Sequence, residues 1–117
     1  MLSLSASTQV FLALGATDMR KGFDGLSGLV RSQLHDDPLS GALFLFINRR
    51  RDRLKVLYWD GDGLAIWYRR LEEGTFRLPK TAQDVSCVEM RSDEFTMLLR
   101  GIDLASVRRH KRFALTG

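Results

Sequence analysis

Ala42-Leu43-Phe44-Leu45-Phe46-Ile47-Asn48, then Arg49 to Asp52, then Arg53-Leu54-Lys55-Val56-Leu57-Tyr58-Trp59, then Asp60-Gly61-Asp62-Gly63 and Leu64 to Arg70 is the stretch that decides the fold. Three runs rich in aromatic and branched residues are separated by short polar connections, one of which carries two aspartate–glycine steps, a strong hairpin signal. Strands joined this closely pair antiparallel. Downstream, Gly74 marks another turn, Thr75 to Leu78 reads as a short further strand, Pro79 to Ser86 as a loop, and Cys87 to Met90 as a short edge strand. Ser92, followed by Asp93 and Glu94, has the pattern of a helix N-cap with a negative first turn. Phe95, Leu98, Leu99 and Ile102 then share one helical face, and Gly101 is a terminator.

Upstream of the hairpins, Thr8 to Leu14 alternates as a strand and Gly15-Ala16 breaks it. Thr17 and Asp18 predict a helix start, and Met19, Phe23, Leu26, Val30 and Leu34 recur at steps of three and four. Gly22, Gly25 and Gly28 lie within that helix and point to close approach of another backbone, because each costs about 1 kcal/mol against alanine in a helix interior. His35-Asp36-Asp37-Pro38 ends it. The expectation is one α+β domain over residues 1–117, an antiparallel sheet of about four to five strands, with a helix from the N-terminal half and a C-terminal helix packed on one face. From about residue 105 the chain reads as a basic tail.

The chain has 117 residues, 44% of them hydrophobic, with a single cysteine, Cys87. A chain of this length buries roughly two-thirds of its unfolded surface, and its apolar content is too high for disorder. The longest apolar run, Ala42 to Ile47, falls far short of the about 20 residues that span a bilayer. No basic residue precedes the apolar stretch Val10 to Ala16, so no secretory leader is expected. The predicted location is cytoplasmic, with association to the nucleoid allowed.

Charge is unevenly spread. Residues 1–48 hold three of the 18 basic and four of the 14 acidic side chains, so the excess lies beyond them. Arg49, Arg50, Arg51 and Arg53 form one cluster, and Arg108, Arg109, Lys111 and Arg112 another. Arginine outnumbers lysine, and the guanidinium fork suits bidentate phosphate contact. Clustered basic residues are the usual footprint of a nucleic-acid partner, although a solvated loop and tail have the same composition.

Catalytic chemistry finds little support. Asp18 and Asp24 are separated by about 600° of helical rotation and face different directions. Asp60 and Asp62 occupy a turn, where aspartate serves the local backbone. Cys87 has neither His35 nor His110 as a sequence neighbour, and a lone buried cysteine is usually inert. No phosphate-binding glycine loop, His-Glu-x-x-His segment or nucleophile elbow occurs. No metal or cofactor is therefore expected. Tyr58, Trp59, Trp67 and Tyr68 flank the Asp-Gly turn; cross-strand pairing accounts for them, with one member of each pair in the core, and base stacking beside Arg69 and Arg70 is the functional alternative.

Thr17-Asp18-Met19-Arg20-Lys21-Gly22-Phe23-Asp24-Gly25-Leu26, Asp37-Pro38, Gly41-Ala42-Leu43-Phe44-Leu45-Phe46, Asp52 through Leu64, and Tyr68-Arg69-Arg70-Leu71-Glu72 together resemble the TnpB family of transposon accessory proteins. These are second-reading-frame products of the insertion-sequence sixty-six group, distinct from the RNA-guided nuclease of the same name. The likeness is dense over residues 8–78 and continues through Leu98-Leu99-Arg100-Gly101-Ile102-Asp103-Leu104. It implies a bacterial protein with a role in DNA transposition and recombination beside a separate, larger transposase that carries the catalytic acidic triad. The expected function is a non-enzymatic accessory factor binding DNA, at transposon ends or in the transposase–DNA complex. Arg20, Lys21, Arg49, Arg50, Arg51, Arg53, Arg69, Arg70, Arg108, Arg109, Lys111 and Arg112 are the expected contacts, Arg20 and Lys21 near a helix N-terminus that favours anions. The alternatives are a module that contacts the transposase without touching DNA, and a small metal-dependent nuclease using Asp18, Asp60 or Asp62.

Overall fold

In the computed structural model, residues 4–80 and 85–101 are described. The elements run β1 (Val10–Ala13), α1 (Phe23–Ser32), β2 (Leu43–Ile47), β3 (Arg53–Trp59), β4 (Leu64–Arg70), β5 (Cys87–Met90) and α2 (Ser92–Leu99). The five strands form one sheet in the order β4-β3-β2-β1-β5. The predicted α+β class holds, and β2–β3–β4 are two successive antiparallel hairpins. The sheet is mixed, however, because β1 pairs parallel with β2 through a crossover that contains α1. A connection long enough to hold a helix permits parallel pairing, which a tight turn does not.

β2 is central and buried along its whole length. Leu43, Leu45 and Ile47 pack with Leu54, Val56 and Tyr58 of β3 and with Phe95 and Leu98 of α2. Phe44 and Phe46 pack on the other side with Leu57 and with Leu26 and Val30 of α1. The two helices therefore cover opposite faces of the sheet rather than one. Two covered faces require apolar residues at every position of the central strand, which is the reading of Leu-Phe-Leu-Phe-Ile. On the α1 face the rings of Phe11 and Phe44 stack at 5.8 Å.

Several local expectations are corrected by the structure. Helix α1 begins at Phe23 with Gly22 as N-cap, not at Thr17. Thr17 is buried and its N–H donates to Ile47 O at 2.9 Å, which holds the segment against the sheet. Phe23, placed on the apolar stripe, is half exposed. A Cβ at Gly22 or Gly28 would meet nothing within 4 Å, and one at Gly25 would meet Lys21 Cβ at 3.1 Å, so no foreign backbone crowds these glycines. Thr75–Leu78 is not a strand; Phe76 is buried as a plug among the α2-side residues, and its N–H donates to Arg51 O at 2.7 Å. At α2 the N-cap is Arg91, whose N–H donates to Glu94 Oε1 at 3.1 Å, and Gly101 takes φ +74° at the C-terminal end as the terminator role requires.

Candidate nucleic-acid interface

The Arg49–Arg51 turn is built by the residue before it. Asn48 Nδ2 donates to Asp52 Oδ1 at 2.7 Å, while Asn48 Oδ1 accepts from Asp52 N at 3.1 Å and Arg53 N at 2.9 Å. Arg51 N donates back to Asn48 O at 3.0 Å. Arg51 itself sits at φ +61°, a left-handed conformation that costs a side-chain-bearing residue roughly 1–2 kcal/mol. Leu71 N closes on Asp52 O and Phe76 N on Arg51 O, each at 2.7 Å, so the chain beyond β4 braces the turn from outside. Arg49, Arg50 and Arg51 are all exposed.

A second segment faces this turn. Asp18 Oδ1 accepts from Arg20 N at 2.9 Å, giving a tight turn just before α1. Lys55, on β3, reaches up and donates to Met19 O at 2.7 Å and Lys21 O at 2.9 Å. Sequence reasoning gave Lys55 no role, since nothing local marks a strand lysine as a clamp on carbonyls more than thirty residues away. The clamped segment and the turn enclose a groove of about 450 Å³ lined by Thr17, Asp18, Met19, Arg20, Asn48, Arg49, Arg50, Asp52 and Arg53. Arg20 is thereby brought beside Arg49, Arg50 and Arg53. Arg51 lies toward a smaller neighbouring hollow with Arg49, Gly15 and Leu78.

Antiparallel pairing places the end of β4 next to the start of β3, with Arg70 opposite Arg53 and Arg69 opposite Leu54. Because successive strand residues point to opposite faces, the two β4 arginines separate. Arg70 shares the α1 face with Arg53, Lys55 and Tyr68. Arg69 lies on the α2 face, donating to Leu99 O at 3.3 Å and stacking over Trp67 at 4.9 Å. A single track through both is not formed. Arg108, Arg109, Lys111 and Arg112 lie outside the described residues, as does the tail from residue 105.

Carboxylates are interleaved with this surface. Arg20 pairs with Asp18 at 2.7 Å and Arg70 with Glu72 at 2.9 Å. The Asp18 carboxyl is lowered to about 2, first by its side-chain hydrogen bond to Arg20. Lys21 is exposed just before α1, whose N-cap Gly22 offers no side-chain cap.

Other chemistry finds less geometry. Asp18 stands at the Arg53 end of β3 and Asp60 and Asp62 beyond its Trp59 end, about 20 Å away at the strand rise. Among the described residues no group of three or more His, Cys, Asp or Glu is placed to hold a metal ion. The Cys87 thiol is raised by burial, then by Asp36 and Glu89, the reverse of an activated thiolate. Tyr58 is buried and Trp67 packs against the same side, so one aromatic of each pair belongs to the core as cross-strand packing predicts. Among the described residues, no helix is long and apolar enough to cross a membrane.

Residues 8–109 match the family described as IS66 Orf2 like protein, and the chain belongs to that family of transposition-associated accessory proteins. It is similar to the uncharacterized protein y4jC of Sinorhizobium fredii, 36% identical over 109 residues that span 93% of this chain and 92% of that one. A second uncharacterized protein of the same organism, y4hO, is 36% identical over 103 residues, 88% of each chain. No solved structure matches.

Proposed function

We propose that this accessory protein acts without catalysis by binding DNA, at transposon ends or within the transposase–DNA complex, through the groove between the Asp18–Lys21 segment and the arginine turn. The observation that carries the reading is the convergence of Arg20 with Arg49, Arg50 and Arg53 on one groove, from segments far apart in the chain. Guanidinium groups on a braced turn suit phosphate oxygens, and Arg70 and Lys21 extend the same side. Neutralising about six phosphates should make affinity fall by roughly three orders of magnitude between 50 and 200 mM salt. Titration of the full chain with labelled DNA across that range tests this, and a flat response overturns it.

A second reading is favoured by the carboxylates that already sit on Arg20 and Arg70. A surface that accepts its own acidic side chains also fits an acidic surface of the transposase. Substituting Arg49, Arg50 and Arg51 together by glutamate separates the two. Loss of transposase capture in nuclease-treated samples supports protein contact, whereas retained capture with lost DNA binding supports the first reading.

A further inference from the structure

We propose that the DNA taken by this surface is an unpaired strand, and that Tyr68 is the residue on which one of its bases stacks; the inference rests on the DNA-binding reading above. Tyr68 lies on the α1 face of β4 with Lys55 opposite it, and Arg70 lies two residues further along opposite Arg53. Three cations therefore surround one ring, at the about 7 Å two-residue repeat along a strand and about 5 Å across a pair.

The ring is oriented by these neighbours. Arg53 Nη1 donates to the Tyr68 hydroxyl at 3.4 Å, and Lys55 Nζ lies 4.9 Å from the ring centroid while bonded to Met19 O and Lys21 O. Even so, Tyr68 is 47% exposed, against 8% for Tyr58. Phe23, two residues past the Lys21 carbonyl that Lys55 holds, is 50% exposed. Among the described residues these are the two exposed aromatic rings, and both border the lysine clamp.

With Lys55 over one face of the ring and Arg53 at its hydroxyl, the half-exposed remainder of Tyr68 is a stacking surface beside phosphate donors. In duplex DNA each base face is covered by its neighbours, so such a ring gains nothing there. In an unpaired strand every base offers a free π-face, and the phosphates flanking it fall within reach of Arg53 and Arg70. An anion between those arginines also relieves the repulsion of like charges set directly opposite.

The test compares binding of the full 117-residue protein to labelled oligo-dT and to a duplex of equal length, for wild type, Tyr68→Ala, Tyr68→Phe and Tyr68→Leu. Thermal melting checks the fold, and Tyr68→Leu retains apolar bulk on the strand should alanine unfold it. Expected is a loss of oligo-dT affinity of about fivefold to a hundredfold for alanine and leucine, with duplex affinity unchanged and phenylalanine close to wild type. If wild type binds DNA but the alanine and leucine variants keep oligo-dT affinity, or lose both forms equally, the stacking role is overturned while the DNA reading stands. Absence of wild-type binding to either form overturns both.

Discussion

Arg53 and Arg70 stand directly opposite each other on one face of the β3–β4 hairpin. Like charges in that arrangement disfavour the pairing that creates it, and here the strain is eased only at the margins, by Glu72 on Arg70 and the Tyr68 hydroxyl on Arg53. Arg53→Glu turns the repulsion into attraction. Its chemical denaturation midpoint should rise, by up to about 1 kcal/mol of stability. The same substitution should weaken DNA binding and reduce the slope of log affinity against log salt by about 1 or more. A variant that gains stability and keeps its salt slope removes Arg53 from the interface.

Arg51 gives a parallel case through the backbone. At φ +61° glycine is at ease and arginine is not. Arg51→Gly should stabilise the fold by up to about 1 kcal/mol, since the left-handed strain it removes exceeds the added freedom of the unfolded chain. DNA affinity should fall in the same variant. Equal denaturation curves for the two proteins would mean the turn relaxes when freed.

Asp18 occupies Arg20 in the way a phosphate would. Asp18→Asn keeps an oxygen for the Arg20 N–H but releases the guanidinium, so DNA affinity should rise severalfold at most, exposed ion pairs being weak. The native carboxyl should titrate near 2 by NMR, and Arg20→Ala should return it toward 3.8. Because the folded value is the lower one, any contribution of the pair is complete above about pH 4 and is lost as pH falls toward 2. Between pH 5 and 8 it should add no pH dependence.

Lys55 is a positioning residue. Lys55→Met retains the alkyl stem but leaves the Met19 and Lys21 carbonyls without their donor. The expected cost is about 1–3 kcal/mol, with faster hydrogen exchange at Thr17 and through the turn before α1. DNA binding should weaken even with every arginine intact. Unchanged exchange at Thr17 would show that the segment is held from elsewhere.

Phe44 tests the central strand. It is fully buried, stacked on Phe11 and packed beneath α1. Phe44→Ala should cost about 3–5 kcal/mol, a large part of what a domain of this size has. Urea denaturation followed by circular dichroism reads it directly.

The hairpins were legible because alternation and turn chemistry are local: β3, β4 and β5 begin and end where the Asp-Gly turn and the flanking polar residues predict. The partner of a strand is not local. Nothing in Val10 to Ala13 says that it lies parallel to β2, and the only written sign of two covered faces is that Leu43 to Ile47 lacks any polar position. Thr17 has a cap's chemistry, yet its N–H is claimed by Ile47 O and the helix waits until Phe23. At the site, Arg49–Arg51 were visible as a cluster, and the separation of Arg69 from Arg70 was available from strand alternation alone. The clamp made by Lys55 was not, since it depends on where two distant carbonyls come to rest.

The amide of Asn48 ties both ends of the arginine turn, and its effect reaches past folding. A basic loop that is loose in the free protein must surrender its freedom each time it meets a ligand, and that loss weakens the complex. Here the backbone's share of that freedom is already gone when the chain folds, so the proposed DNA ligand would meet arginines carried on a fixed turn. Asn48→Ala would leave every arginine in place and still slacken the grip, chiefly through faster release.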